Sequence, residues 1–489
     1  MRPDRLRSTA VERRPPVPYD APMLSELAAA VRAGAVEPVD LVAESLRRIE
    51  AAAPLNAVVA LRADEALAEA QAHPRTGALA GLPLLVKDMA RCAGMRTTMG
   101  HPMFADAAPD TVDDTVVARL RAAGAIVVGR TNSPAFGHQA VTTNTLYGPT
   151  RNPWNTERSP GGSSGGSAAA LAAGLAPLAT TSDGGGSVRI PASCCGLVGY
   201  KPSMGAIGRN ILPRWIGFST QGATGATVAD VIAEASVTLG PARGDWLSLP
   251  PMTLAPTRPT RVVACRTFRA DIDPVIEAAF DEALATLAAE GLVVERVAAP
   301  SDASVGRDWF TMSAAELAQS LEDVRDQWAS FEPSLRFQLE YGASVTISQY
   351  LAATRRRHDA SARFDDLLDP GTVLVVPTAN VQSWMAEGPV WDRAGSVSGD
   401  PAIGLNTPEL NYTGHPCVSV PLGLDEVGVP FGLQVVAPRF ADGLALGLAA
   451  VLERARPWPL VAPGYAPFAA AFAGVGAAGV GATGSGAAG

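Results

Sequence analysis

Short apolar runs alternate with segments of helical spacing along most of the chain. An apolar run at residues 83–86 leads into Lys87 and is typical of a buried strand, whereas apolar positions three and four apart at 38–53 predict an amphipathic helix. The same patterns predict helices at 25–34, 113–123, 273–291 and 442–454, and strands at 125–128, 261–265, 292–297, 372–376, 417–420 and 433–436. Strands that alternate with helices predict an α/β fold with a largely buried sheet.

The two ends of the chain differ in composition from the rest. Residues 1–20 are rich in arginine and no apolar run follows them, which predicts a flexible leader rather than a secretory signal. Residues 473–489 contain only Ala, Gly, Val, Thr and Ser, so we expect a disordered tail. Between them, residues 21–470 are expected to form one domain.

Charge and composition exclude several classes of function. The 489-residue chain has a formal net charge of −9, so no overall basic field favours nucleic acid or an anionic membrane. No apolar run is long enough for a membrane span. The five cysteines are odd in number and lack C-x-x-C, and the five histidines lack metal-ligand spacing. We therefore expect a cytoplasmic protein with no disulfide, metal or membrane partner.

Two glycine–serine clusters, at residues 161–167 and 183–191, are the most unusual feature of the chain. The first contains G-x-S-x-G around Ser163, the pattern of an α/β-hydrolase nucleophile elbow. Two prolines just before it, Pro153 and Pro160, argue against the central strand that an elbow needs. A phosphate-binding loop is also disfavoured, because neither the Walker spacing nor a G-x-G-x-x-G after a strand is present.

A third interpretation combines both clusters with Lys87. A lysine desolvated at the end of an apolar strand would have a lowered pKa and could act as a base. The second cluster places Ser187 after a glycine run whose backbone N–H groups can converge on a substrate oxygen. The glycines of this run, the candidate oxyanion hole, are Gly184, Gly185 and Gly186. The chain thus has a candidate base and two candidate serines, Ser163 and Ser187, without requiring a histidine.

From Pro153 to Ser203 the chain resembles the amidase signature family. The matching segments are G-G-S-S-G-G-S-A-A-A-L-A-A-G and T-S-D-G-G-G-S-V-R-I-P-A-S-C-C-G-L-V-G-Y-K-P-S, and weaker similarity spans roughly residues 22–460. The resemblance implies a single amidase signature domain at residues 21–470 with its catalytic core at about 80–220, built on a central mixed sheet covered by helices on both faces. It also implies amide hydrolysis by a Ser–cis-Ser–Lys triad, without a cofactor, in which Lys87 is the base, Ser163 the cis-serine and Ser187 the nucleophile.

The resemblance has further implications for the second cluster. Asp183 and Arg189 are expected to form a structural ion pair, and Cys194 and Cys195 to be small packed residues. Gly184 stands where the family has Thr or Ile, which predicts a more flexible loop or space for a bulkier acyl group. Ser182 in place of the usual Thr is expected to be a mild change.

The choice of substrate depends on a different part of the chain. Amidotransferase A subunits that use glutamine carry an aspartate seven residues before an asparagine that corresponds to Asn411, and this chain has Gly404 there, with Asp400 four residues further upstream. We therefore expect a stand-alone hydrolase of small-molecule aryl or apolar amides and anilides. A carbamate hydrolase with the same triad is the alternative. Less favoured are an α/β-hydrolase esterase and an amidotransferase A-type subunit.

Two segments that carry aromatic and methionine side chains, 204–218 and 380–391, are expected to shape the substrate pocket. The candidate pocket residues are Arg209, Trp215, Trp384 and Met385, with Trp391 nearby. The sequence does not decide the oligomeric state, and a homodimer is compatible with it.

Overall fold

The computed structural model describes residues 24–268, 271–381, 384–389 and 404–472. The expected leader at 1–20, the expected tail at 473–489, Trp391 and Asp400 lie outside these residues. The helices are α1 (Leu24–Arg32), α2 (Pro38–Ala51), α3 (Ala63–Gln71), α4 (Thr115–Ala122), α5 (Gly165–Ala172), α6 (Arg189–Cys195), α7 (Val228–Thr238), α8 (Pro274–Ala289), α9 (Ala303–Ser320), α10 (Pro333–Ser344), α11 (Ile347–Asp365), α12 (Pro408–Thr413) and α13 (Asp442–Ala455). The strands are β1 (Val58–Leu61), β2 (Pro83–Lys87), β3 (Ile126–Thr131), β4 (Leu178–Ala179), β5 (Thr181–Asp183), β6 (Val198–Lys201), β7 (Thr220–Gly225), β8 (Arg261–Cys265), β9 (Val293–Val297), β10 (Thr372–Pro377), β11 (Cys417–Leu424) and β12 (Pro430–Val436).

Within the described residues, the strands form two hydrogen-bonded sheets. The smaller sheet has the order β1-β3-β2-β4, in which β3, β2 and β4 are parallel and β1 is antiparallel to β3. The larger has the order β5-β7-β6-β11-β12-β10-β8-β9 and is antiparallel except for the parallel β10, β8 and β9. Because only Thr180 separates β4 from β5, the two sheets meet at residues 178–183.

Helices bury both faces of the larger sheet. Side chains alternate along a strand, so Val262 and Ala264 of β8 pack with the core beneath α8 and α13, whereas Val263 and Cys265 pack with Phe364 of α11 on the opposite face. This arrangement confirms the expected α/β class with a mixed sheet and surrounding helices.

The predicted elements are present with small shifts at their ends. The strand predicted at 261–265 is β8, and the helix predicted at 273–291 is α8, where the side chain of Asp273 accepts a hydrogen bond from Val275 N and so caps the first turn. Cys194 and Cys195 are both about 1% exposed, which confirms their expected packing role, and all five cysteines are free and buried. None of the described helices has the length and apolar character needed to cross a membrane.

The sequence analysis did not predict the helical segment α9 to α11, which covers one side of the second glycine–serine cluster. Helices α9 and α10 approach closely at Gly342, where a Cβ would stand 2.0 Å from Ala314 O. Any side chain at this position would separate the two helices. This close packing fixes α9, which carries Trp309 towards the second glycine–serine cluster.

Candidate active site

Lys87 ends β2, a strand whose residues are all buried, and its side chain is 2% exposed. Its Nζ lies 2.8 Å from Ser163 Oγ, 2.8 Å from Ser164 Oγ and 3.1 Å from Ser182 Oγ. Burial lowers the pKa of Lys87 from 10.5 to about 7, and the negative charge of Asp183 opposes this shift only partly. Near neutral pH the amine therefore has a substantial population with a lone pair that can accept a proton.

The three neighbouring hydroxyls differ in where their own protons can go. Ser164 Oγ donates to the carbonyl oxygen of Ser182 at 3.3 Å, so its proton is directed away from the amine. Ser182 Oγ is the most distant of the three. Ser163 is therefore the hydroxyl best placed to exchange a proton with Lys87, while Ser164 and Ser182 hold the amine in position.

Ser163 lies in the loop before α5, and the Gly162–Ser163 peptide bond is cis, as the sequence resemblance implied. Thr142 holds this loop from both sides. Its Oγ1 donates to Gly161 O at 2.8 Å and accepts from Gly165 N at 3.1 Å. The loop backbone is thereby fixed on both sides of Ser163.

Ser187 follows the glycine run and is 9% exposed. Gly186, just before it, has a φ of +130°, and a Cβ there would stand 2.2 Å from Thr407 Oγ1, so only glycine fits this position. Ser187 lines a cavity of about 390 Å³ that Lys87 and Ser163 also line. The structure thus brings together the three residues that the sequence analysis selected.

A buried ion pair holds the glycine run. Arg189 Nη2 and Nε lie 2.8 and 2.9 Å from the two carboxylate oxygens of Asp183, and both side chains are fully buried. Burial alone would raise the pKa of Asp183, but the adjacent guanidinium of Arg189 holds that pKa well below its usual range. The expected structural ion pair is confirmed.

The carboxylate of the ion pair also accepts a hydrogen bond from one of the predicted oxyanion donors. Gly186 N donates to Asp183 Oδ1 at 2.6 Å, so this amide is not directed at a substrate oxygen. Its engagement corrects the expectation that all three glycine amides face the substrate. The amides of Gly184, Gly185 and Ser187 remain the candidate donors.

Two of the four predicted pocket residues, Arg209 and Trp215, line the cavity. The ring of Trp215 lies against Gly184, where a Cβ would stand 2.4 Å from Cε3. The extra space expected from Gly184 is therefore not found, because the indole occupies it. The rest of the lining is mixed: it includes the apolar residues Met89, Met99, Phe136, Ile211 and Ile216 and the charged residues Arg91, Asp114, Arg214 and Glu316.

The other two predicted pocket residues, Trp384 and Met385, are not part of this lining within the described residues. Trp384 is fully buried in an apolar cluster that also contains Ile190, and its carbonyl oxygen accepts from Ser159 N at 2.8 Å. Met385 forms a β-bridge with Arg158. These contacts fasten the segment to the loop ahead of the first glycine–serine cluster, so both side chains pack the loop rather than face the cavity.

Sequence reasoning missed Trp309 of α9. Its Nε1 donates to Gly184 O at 2.9 Å, and its ring packs edge-on against Trp215 with centroids 6.0 Å apart. A Cβ on Gly185 would stand 2.3 Å from Trp309 Cζ2. The hydrogen bond joins residues 125 positions apart, and no local pattern around Trp309 distinguishes it from an ordinary core residue.

The region used to judge glutamine specificity lies apart from the cavity. Asn411 is fully buried and donates to Asp183 Oδ1 at 2.9 Å, so it belongs to the support of the glycine run. A Cβ on Gly404 would stand 2.9 Å from Val381 Cγ2, and Gly404 is not in the cavity lining within the described ranges. Across those ranges, no group of three or more His, Cys, Asp or Glu side chains is placed to hold a metal ion.

Comparison with known proteins agrees with this geometry. The family model described as Amidase matches residues 40–446. The chain therefore belongs to the amidase family, the family of amidase signature enzymes. A solved structure of a bacterial aryl acylamidase of that family is similar with a TM-score of 0.83 and 28% identity, over 94% of this chain and 99% of that chain.

Curated relatives show the same extent of similarity. The acylamidase of Rhodococcus erythropolis is 32% identical over 457 residues, which cover 89% of this chain and 95% of the relative. The A subunit of the glutamyl-tRNA(Gln) amidotransferase of Deinococcus radiodurans is 33% identical over 473 residues, which cover 88% and 96%. The protein is an amide-hydrolysing enzyme of the amidase family.

The pKa of Lys87 can be measured directly, because Lys87 and Lys201 are the only lysines in the sequence. In protein labelled with ¹³C at lysine Cε, the Lys87→Met variant identifies the Lys87 resonance by its loss. We expect this resonance to titrate with a midpoint of about pH 7, because burial disfavours the ammonium. A midpoint near the ordinary value of about 10.4 would contradict the buried-amine geometry.

The same pKa shift determines how Lys87 affects stability. The unfolded chain keeps the Lys87 proton up to about pH 10.4, whereas the folded protein releases it near pH 7. Between these pH values the unfolded state therefore binds more protons than the folded state. The free energy of unfolding rises with pH in that range as a result. Urea unfolding should show the wild-type protein gaining stability relative to Lys87→Met across that range. A difference independent of pH would argue against the shift.

Proposed function

We propose that this protein is a stand-alone amidase that forms an acyl-enzyme on Ser187, with Lys87 and Ser163 as the proton relay. The observation that carries the proposal is the 2.8 Å contact between the buried Lys87 Nζ and Ser163 Oγ at a cavity that Ser187 also lines. A lysine with a lowered pKa can serve as a base without a histidine.

The reaction follows from where each proton can move. Neutral Lys87 takes the proton of Ser163, which takes the proton of Ser187 as the latter attacks the carbonyl carbon. The negative charge that develops on the carbonyl oxygen is stabilised by backbone amides of the glycine run. Ser163 then returns a proton to the leaving nitrogen, and water hydrolyses the acyl-enzyme.

The cavity wall supports aryl or apolar amides as substrates. Trp215, Phe136 and the methionines Met89 and Met99 present apolar surface close to the glycine run. Aromatic walls suit an aryl group, which gains about 25 cal/mol for each Å² of apolar surface that it buries. The similarity to an aryl acylamidase supports the same substrate class.

A covalent probe tests the assignment of the nucleophile. We expect an alkyl fluorophosphonate to label Ser187, as mapped by peptide mass spectrometry, and we expect Ser187→Ala to abolish labelling. Ser163→Ala should slow labelling by about 10²- to 10⁴-fold, because the proton relay is lost, without moving the label. A label on Ser163 would favour the nucleophile-elbow interpretation instead.

The pH dependence of kcat/KM tests the base. Protonated Lys87 cannot accept a proton, so activity should fall about tenfold for each pH unit below about 7. Asp114 also lines the cavity, and burial raises its pKa to about 6, so it could produce a similar decline. The Asp114→Asn variant is therefore the control and should keep the decline near pH 7. A profile flat down to about pH 5 would exclude a lysine base.

Substrate comparison tests the pocket. A nitroanilide of a small acid should have a much higher kcat/KM than glutamine, since its ring can bury apolar surface against Trp215, Phe136 and Met99 and the glutamine side chain cannot. Trp215→Ala should raise KM for the anilide by about tenfold, the loss expected for about 55 Å² of apolar contact, while a small aliphatic amide is little affected.

The control for this comparison is Trp384→Ala, which removes a buried indole outside the cavity lining and should not discriminate between the two substrates. Aryl carbamates and amides with the same ring, assayed side by side, separate amidase from carbamate hydrolase activity. Efficient turnover of glutamine would support the amidotransferase alternative.

A further inference from the structure

Every carbonyl oxygen of the glycine run accepts a hydrogen bond. The peptide unit is planar, and in its trans form the C=O and the following N–H point in opposite directions. A donor bound to one carbonyl therefore sets the direction of the next amide along the chain. The three donors are Trp309 Nε1 to Gly184 O at 2.9 Å, Thr407 Oγ1 to Gly185 O at 2.7 Å, and Ile190 N to Gly186 O at 2.7 Å.

The three amides that these bonds orient have different roles. The amide of Gly186 donates to Asp183, as described above. The amide of Ser187 is oriented by a backbone donor, which almost any sequence would supply. The amide of Gly185 is oriented by the indole N–H of Trp309, so its direction depends on a side chain of α9.

We propose that Trp309 is a positioning residue for the oxyanion hole: its indole N–H fixes the Gly184–Gly185 peptide so that Gly185 N–H faces the carbonyl oxygen under attack. The proposal rests on the proposed function, in which Ser187 is the nucleophile. Gly184 lines the cavity, whereas Gly185 and Trp309 are not in its lining among the described residues, so Trp309 acts through the peptide that follows Gly184 and not on the substrate. A hydrogen bond on the carbonyl oxygen also polarises the peptide and makes its N–H a stronger donor.

Packing holds the indole in this orientation. Trp309 is 5% exposed, and the edge-on contact with Trp215 lies on its ring. The absence of a side chain on Gly185 allows the approach, since a Cβ there would stand 2.3 Å from Cζ2. The bond is therefore preorganised before substrate binds, which is what stabilisation of a developing charge requires.

The test compares Trp309→Phe with Trp328→Phe. Trp328, in the helical region that follows α9, is a matched control. Its side chain is 4% exposed, and its Nε1 donates to the backbone carbonyl oxygen of Leu321 at 3.1 Å. Both variants lose an indole N–H bond inside the protein, but only Trp309→Phe loses the bond to the glycine run.

We expect Trp309→Phe to lower kcat for an anilide by about 10- to 100-fold, with KM nearly unchanged. This loss is no larger than the loss that follows from removing an oxyanion donor outright. Affinity for phenylboronic acid, whose adduct with a serine places an oxygen in the oxyanion hole, should fall in parallel, whereas affinity for benzyl alcohol should not. The fall of kcat/KM on the acid side should stay near pH 7, because it depends on the protonation of Lys87. Trp328→Phe should change Tm without changing kcat or boronate affinity.

Equal kcat losses in the two variants, or an unchanged boronate affinity in Trp309→Phe, would overturn the proposal. If Trp309→Phe does not fold, benzothienylalanine at the same position replaces the N–H by sulfur and preserves the ring shape, with the same expectations. Fluorophosphonate labelling of the unaltered enzyme is independent of these variants. Labelling at Ser187 with no effect at Trp309 refutes the positioning role alone, whereas labelling elsewhere refutes the proposed function.

Discussion

The ion pair between Asp183 and Arg189 is the interaction on which the rest of the site depends. Neither side chain is exposed, and the carboxylate also accepts the amides of Gly186 and Val188, so the turn that carries the nucleophile candidate is folded around a single charged group. Asn411 of α12 bonds to both partners of the pair. Breaking a buried pair of this kind by removing one partner typically costs about 3–5 kcal/mol, because the other charge is left unpaired. Here such a loss would release the glycine run from the helices and strands that position it.

The junction between the two sheets explains how the candidate base and the candidate nucleophile come to line one cavity. Lys87 ends β2 in the smaller sheet, whereas Ser187 follows β5 at the edge of the larger one. Strand β4 pairs with β2, and β5 begins two residues after β4 ends, so the chain passes from the lysine-bearing sheet to the serine-bearing turn within a few residues. Thr180, between the two strands, accepts from Lys87 N at 2.9 Å through its Oγ1 and so bonds directly to the base-bearing strand. The short connection leaves little freedom in the distance between the two catalytic candidates.

Sequence reasoning located what is encoded locally and missed what depends on distant contacts. The apolar run before Lys87, the two glycine–serine clusters and the apolar spacing of several helices are local patterns, and each predicted an element or a site residue that the structure places as expected. The roles of Ser163 and Ser187 as nucleophile or relay remain predictions. By composition alone, Trp384 was as reasonable a pocket residue as Trp215. The β-bridge between Arg158 and Met385 joins segments more than 200 residues apart, and next to it the side chain of Trp384 is buried in the core. Trp309 had no local signal, because its importance comes entirely from the backbone that it reaches.

Gly184 shows why a departure from a family pattern needs its surroundings to be interpreted. In isolation, losing a side chain at this position predicts a looser loop and more room for substrate. The structure fills the space with the ring of Trp215, and the carbonyl oxygen of Gly184 accepts from Trp309, so the loop is held on both sides by indoles that also contact each other. The ring that borders the cavity and the indole that bonds to Gly184 O are thus in contact, but each reaches the loop separately. Because the bond from Trp309 Nε1 to Gly184 O does not pass through Trp215, a smaller side chain in place of Trp215 changes the cavity wall and leaves that bond its own donor and acceptor, so substrate preference and the geometry of the glycine run depend on different indoles at this wall.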